Sequence, residues 1–227
     1  MTFAPRTRTD ARRAREADSL PGALRLYLRF WTPRLLALQL LVVGALRLAL
    51  GGWTHWDLLI VAIIAVYWPV QEWAAHFVLL HFKPRRWLGL WIDPLAARAH
   101  RWHHRHPHVL ERVFVPTQVI LVLIPIHAAA WWLLMPTPAL ALTGMAAFTL
   151  ATMIYEWVHF LVHTRHRPRS AWFRRVHRNH HLHHFKNEHY WHAFTVPHLD
   201  TWLGTDPDAT EVETSPTVRT LGVEEPG

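Results

Sequence analysis

The sequence predicts an all-α integral membrane protein: four transmembrane helices carrying a His-rich helical cap on the cytoplasmic side. Three observations carry this. The 227-residue chain contains four apolar stretches close to the ~20 residues a helix needs to cross a ~30 Å hydrocarbon core. Of its 24 Lys and Arg, 23 lie to one side of those stretches. Of its 20 His, 12 fall into four clusters, at the ends of the second and fourth stretches and in the segments that follow them. Only 18% of residues are charged, against about 25% in a soluble domain. Four buried apolar helices would therefore leave a soluble chain of this length with too little polar surface. The absence of Cys excludes disulfides, thiolate metal sites, Fe–S clusters and a Cys nucleophile.

Residues 1–32 form a basic segment, with Arg at 6, 8, 12, 13, 15, 25 and 29. It has neither the apolar core nor the small-residue cleavage site of a secretory signal, so it is expected to be retained. Thr2–Asp18 reads as disordered, and Leu20–Phe30 as a short amphipathic helix on the membrane surface.

The first span is Pro33–Leu50, with Thr32 as its cap, Pro at the first helical position and Gly51-Gly52 as its stop. The second is Leu58–His81, with Asp57 as N-cap and a kink at Pro69. The third is Gln118–Met135, after Thr117 and with Pro125 inside it. The fourth is Pro138–His163, after Thr137.

Segments 1–34, 83–112 and 165–219 hold every Lys and Arg except Arg47, whereas the opposite loops Gly51–Asp57 and Pro136–Thr137 hold none. The positive-inside rule then puts both termini and the central loop in the cytoplasm. Arg47 is expected to snorkel to the far interface, and Trp53, Trp56, Trp131 and Trp132 sit where an aromatic belt forms. The net charge of +8 is thus a topology signal, and no nucleic-acid partner is expected. At ~1.5 Å per residue the second and fourth spans exceed the hydrocarbon thickness, so their His-bearing ends protrude from it.

The histidines repeat a pattern. His76 and His81 form H-x4-H, followed by H-x2-H-H at His100, His103 and His104. His159 and His163 form H-x3-H, followed by a cluster running from His177 to His184. The i,i+3,i+4 spacings put imidazoles on one helical face. The i,i+5 pair converges if the helix ends, wraps the metal from two sides or widens into a π-turn. The last cluster reads as H-x2-H-H either at His177, His180 and His181 or at His180, His183 and His184. The spacing of the first unit favours the second frame. Each unit also carries a Glu shortly before its first His (Glu72, Glu156), a basic Pro step after its second, and a Val-Pro step after its triplet. Two tandem units facing each other would gather about ten imidazoles. A lone interfacial His is ordinarily just solvated; ten in four clusters exceed what one metal can use, so two metals are expected, and imidazole suits Zn, Cu, Fe and Ni.

These motifs, together with the stretch Tyr155–Asp208 (YEWVHFLVHTRHRPRS…NHHLHHFKNEHYW…DTWLGTDPD), resemble the fatty acid hydroxylase / sterol desaturase superfamily of integral-membrane di-iron enzymes, in a bacterial branch. The resemblance covers roughly residues 57–208. It implies O2-dependent hydroxylation or desaturation of a lipid C–H bond at two iron ions, in a bacterial inner membrane with the site on the cytoplasmic side. By motif match it places the ligands at His76, His81, His100, His103, His104, His159, His163, His180, His183 and His184. It leaves His177 and His181 outside the pattern. No haem-binding domain is visible, so an external ferredoxin- or cytochrome-type electron donor with its reductase is expected.

The residues fit that chemistry: unactivated C–H oxidation needs a cofactor, and Glu72 and Glu156, with Asp93 and Glu188 behind them, are positioned to accept ring N–H bonds and set the tautomers. No catalytic group beyond the ligands is assigned. His55 and His127 are expected to be structural, and His106, His108, His166, His189, His192 and His198 to be supporting or exposed. The expected organisation is the N-terminal segment 1–32, a membrane domain 33–204 and an acidic, disordered tail 205–227. The competing reading is a divalent-metal transporter or metal-binding membrane protein; a transporter would place ligands near the bilayer midplane, whereas these lie at one face.

Overall fold

A computed structural model describes residues 17–167 and 169–224. The described residues are mostly helical. Helix α1 (Leu20–Tyr27) precedes α2 (Trp31–Leu50) and α3 (His55–Ala74), which runs on into a π-helical turn, Ala75–Leu80. A small antiparallel hairpin follows, β1 (Arg85–Trp87) and β2 (Leu90–Ile92), then α4 (Leu95–Arg105). Helices α5 (Thr117–Leu134) and α6 (Pro138–Val162) complete the apolar bundle, and α7 (Ala171–Phe185) and α8 (His198–Trp202) complete the cap.

Four helical stretches are long and apolar enough to cross a membrane: Trp31–Leu50, His55–Leu80, Leu110–Leu134 and Pro138–Val162. These are the four expected spans. The fourth is the hub, since α2, α3 and α5 all pack on α6. Thr137 caps α6 as expected, accepting from the Leu140 N–H at 3.3 Å. The other starts differ in detail. Helix α3 begins at His55, so Asp57 occupies the third helical position rather than the cap, and its carboxylate reaches back to the Thr54 N–H at 2.8 Å. Helix α2 begins one residue before Thr32, whose hydroxyl instead donates to the Val115 carbonyl at 2.9 Å and ties α2 to the start of α5.

Arg47 does not snorkel outward. It is 2% exposed and bridges three helices, donating to Asp57 Oδ1 (2.7 Å), Thr143 Oγ1 (2.8 Å) and the Gly51 carbonyl (2.6 Å). The Trp53 ring lies 3.7 Å from its guanidinium carbon. A charge this close to lipid is satisfied more cheaply by a buried partner than by unwinding toward water. At the opposite end of the bundle, Tyr27 anchors α1 on α6 through ring contacts with Trp157 and Phe160 and a hydrogen bond to the Met153 carbonyl. Most of Thr2–Asp18 lies outside the described residues.

The expected disordered tail is a further correction. Residues 205–224 are ordered against the cap: the Ser215 N–H donates to the Lys186 carbonyl (2.8 Å), Arg219 Nη1 donates to the His104 carbonyl (2.9 Å), and Leu221 is 3% exposed. The segment is held by backbone groups together with scattered side chains such as Asp206, which pairs with Arg175, so its composition gives no periodic sign of order.

Candidate metal centre

All ten motif histidines converge on the cap side of the bundle, in two groups of five. His76, His81, His100, His104 and His183 form one; His103, His159, His163, His180 and His184 form the other. Within each group one nitrogen per ring lies within 4.8 Å of every other. Each group takes four imidazoles from one repeat unit and one from the other. The crossing residues are His103 and His183, the middle histidines of the two H-x2-H-H triplets. The units therefore interlock.

Local structure explains each placement. His76 and His81 meet, ring centroids 5.2 Å apart, because the turn between them is π-helical and superposes residues five apart. The triplets lie on α4 and α7, where i,i+3,i+4 positions share a face. His177 and His181 stack on each other at 4.2 Å and belong to neither group; His180, His183 and His184 face inward.

The nitrogens demand a cation. In the first group, Nδ1 of His76 donates to the His192 carbonyl (2.7 Å), and Nδ1 of His104 to the Val218 carbonyl (3.0 Å). Both rings therefore present a bare lone pair at Nε2. Yet both Nε2 atoms, with that of His81, approach His100 Nε2 at 3.2, 3.1 and 3.3 Å. His100 has at most one hydrogen there. In the second group, Nε2 of His103, His159 and His180 crowd His163 Nε2 at 3.1, 3.2 and 2.8 Å. Two ligands ~2.1 Å from one metal and at right angles would stand ~3.0 Å apart, which matches these separations. Further buried nitrogens, among them both of His184 and Nε2 of His183, have no hydrogen-bond partner among the described residues.

Burial keeps the rings neutral, the form that binds metal. It drives His104 down to about 3 and His100, His103, His180, His183 and His184 well below the ordinary imidazole value, with neighbouring rings adding repulsion. Eight of the ten are buried; His81 and His163 are partly exposed.

Glu72 and Glu156, expected to accept ring N–H bonds, hold backbone instead. Glu72 Oε1 accepts from Phe194 N–H (2.7 Å) and Thr195 N–H (2.9 Å), and its Oε2 from Trp68 Nε1 (3.1 Å). Glu156 accepts from Val115 N–H at 3.0 Å. The partners are crossed: Glu72 fixes the two residues before the Val-Pro step of the second unit, and Glu156 fixes the Val of that step in the first. Asp93 pairs with Arg101 at 2.7 Å, and Glu188 accepts from Thr217 and lies 3.5 Å from His189. The tautomers are set by the carbonyls of His192, Val218 and Tyr190, the last holding His183 Nδ1 at 2.7 Å.

Two further residues shape the site: His192, expected to be supporting or exposed, and Asp200, to which the sequence reading gives no role. His192 is 1% exposed and lies between His76 and His183, with ring centroids 5.2 and 5.0 Å away. Asp200, fully buried, accepts from the His192 and Ala193 N–H groups at 2.9 Å and from Trp73 Nε1 at 3.1 Å. It thereby fixes the carbonyl that orients His76. Neither belongs to a spaced His motif, although Asp200 opens the stretch DTWLGTDPD that shares in the family resemblance. His55 and His127 stay remote, on Trp56 and Trp131. His106 stacks on Trp102, His108 lies by Phe185, His166 by Phe173, and His198 is exposed.

An apolar cavity of about 410 Å³ opens between the spans and reaches His76. Its walls include Leu36, Trp68, Leu79, Ile120, Leu123 and Phe148.

The hydroxylase domain visible in a structure of full-length scs7p superposes with a TM-score of 0.64 at 21% identity, covering 81% of this chain and 68% of that one, and so shares the fold. The dihydroceramide fatty acyl 2-hydroxylase FAH2 of Arabidopsis thaliana is 28% identical over 152 residues, which span 66% of this chain and 61% of that protein. The profile of the fatty acid hydroxylase family matches residues 61–205, more than half of the chain and all ten clustered histidines. This chain belongs to the fatty acid hydroxylase family.

Proposed function

We propose that this protein is an O2-dependent oxidoreductase that hydroxylates a C–H bond of a lipid acyl chain, with two iron ions held by the ten clustered imidazoles. The observation that carries this reading is the convergence of neutral imidazole lone pairs, too many for the available hydrogens, beside an apolar cavity within the membrane-spanning bundle. His76, His81, His100, His104 and His183 would hold one ion, and His103, His159, His163, His180 and His184 the other. Bound iron supplies the oxygen activation and electron transfer that no side chain provides. The relative's 2-hydroxylation of a fatty acyl group favours hydroxylation over desaturation.

The protein's own residues do the rest. The carbonyls of His192, Val218 and Tyr190 keep a proton on Nδ1 of His76, His104 and His183, so that Nε2 faces the ion. Glu72 and Asp200 pin the loop at 192–195 that lies over the rings, and Phe194 closes it at 4.6 Å from His180. The cavity takes an apolar tail and keeps water from it. The Lys and Arg distribution supports a site on the cytoplasmic side; in a bacterial inner membrane, an external ferredoxin- or cytochrome-type donor would deliver electrons there.

The test is turnover of purified, iron-loaded protein with a dithionite-reduced ferredoxin, acyl lipids and ¹⁸O2, read by mass spectrometry. One ¹⁸O incorporated into an acyl chain is the expected result. No oxygenated or desaturated lipid, with metal-dependent cation uptake into vesicles instead, would overturn the proposal in favour of transport.

A further inference from the structure

The hairpin β1–β2 stands between His81 and His100 yet contributes nothing to either imidazole group. Every residue from Arg85 to Trp91 is exposed. Trp87 is 64% exposed, Leu88 82%, Leu90 66% and Trp91 64%. A two-stranded ribbon with neither further strands nor a covering helix is marginal in water, and this one has every residue from 85 to 91 exposed. The register pairs Trp87 with Leu90 and Arg86 with Trp91, so apolar side chains project from both faces and from the tip. That pattern does not suit a surface packed on protein from one side.

The tip carries a second sign. Leu88 (φ +48°) and Gly89 (φ +79°) occupy the two central turn positions. Both need positive φ in a type I′ turn, where Asn-Gly or Asp-Gly is usual. A leucine there is conformationally costly, and at 82% exposure it gains nothing from protein contacts in return.

The hairpin follows directly on a membrane span. The span ends at Leu80, and Leu79, Leu80 and Ala96, on either side of the hairpin, line the rim of the apolar cavity. Cations stand at its root: Arg85 and Arg86 open β1, with the Arg85 guanidinium 4.9 Å from the Phe82 ring. At ~3.3 Å per residue the tip lies about 7–10 Å beyond them. That matches the ~5–10 Å to which interfacial amphipathic elements sink, with basic groups left among the headgroups and Trp favoured at that depth.

We infer that the hairpin Arg85–Ile92 is a membrane-inserted finger: its tip, Trp87 to Trp91, enters the acyl boundary of the leaflet on the histidine side, and Arg85 and Arg86 sit among the lipid phosphates. The inference needs only the membrane-spanning fold and does not depend on the metal or the reaction.

The chain has no Cys, so single-Cys variants can be spin-labelled in an otherwise native background. Leu88→Cys would be reconstituted in phosphatidylcholine/phosphatidylglycerol vesicles. Collision of the label with oxygen, which partitions into lipid, would be compared with collision with a water-soluble nickel chelate. Val66→Cys, on an exposed stretch of α3, gives the lipid reference, and Glu211→Cys, on the exposed C-terminal segment, the aqueous one. The oxygen-to-nickel ratio at residue 88 is expected to exceed that at residue 211 several-fold and to approach that at 66. A ratio indistinguishable from that at 211 would overturn the inference. Leu90→Cys gives the same reading, by the same criterion, should Leu88→Cys fail to fold.

Discussion

Replacing Glu72 with Gln tests whether this carboxylate holds the covering loop rather than an imidazole. Oε1 accepts two backbone N–H groups, of Phe194 and Thr195, and Oε2 accepts the Trp68 indole N–H. A glutamine keeps one acceptor oxygen. Its best orientation retains both backbone bonds and turns the amide NH2 toward the indole, so two donors face each other in a buried site. One unsatisfied buried donor costs about 1–3 kcal/mol. For a chain of this length each kcal/mol lowers the melting temperature by about 2–4 °C, so a loss of about 2–12 °C is expected for detergent-solubilised Glu72→Gln. Because the loop bonds survive, metal content should change little. Glu72→Ala leaves three donors stranded, and should cost more and release metal. The decisive comparison is Trp68→Phe with Glu72→Gln. Removing the indole donor removes the conflict, so the double variant should melt within about 0.5 kcal/mol of Trp68→Phe alone. Additive losses would refute the assignment, since a carboxylate acting on an imidazole would be insensitive to residue 68.

Other perturbations separate neighbouring claims. His183→Ala or His184→Ala should abolish turnover and lower bound metal in folded protein, whereas His177→Ala, outside both groups, should lose at most the ~1 kcal/mol of a hydrogen bond; metal analysis beside melting curves decides, and the opposite pattern would mean the wrong frame. Asp57→Ala strips the buried Arg47 of its carboxylate and should cost about 3–5 kcal/mol, read as a lower melting temperature with metal per folded chain unchanged. Gly144→Ala would drive a Cβ into the Trp131 ring, an overpacking worth about 1–3 kcal/mol; Trp131→Leu in the same chain should recover part of it.

Much of this arrangement is legible in the sequence because hydrocarbon leaves a chain few choices. Each span must satisfy its backbone internally, so apolar length and the Thr137 cap place the fourth helix to within one residue at either end and locate the other three spans. The interlocked histidines follow from helical spacing together with a tandem repeat. Less legible is whatever depends on pairing between the units. Glu72 and Glu156 each precede a His by a few residues, which suggested local contact, but their partners lie across the repeat at Phe194 and Val115. The ordering of 205–224 depends on carbonyls such as that of Val218, to which composition is blind. Asp200 acts through the backbone of residues 192–193, not through any motif.

The account's central claim is that two iron ions are held by ten imidazoles, four from one repeat unit and one from the other at each site. Elemental analysis of purified protein expressed with ample iron, combined with Mössbauer spectroscopy, tests it most directly. The account predicts two iron ions per folded chain, close to one in folded His103→Ala or His183→Ala, and oxygen-sensitive spectra in the native protein. A single iron per chain, or readily exchangeable zinc with no iron in well-folded protein, would contradict it.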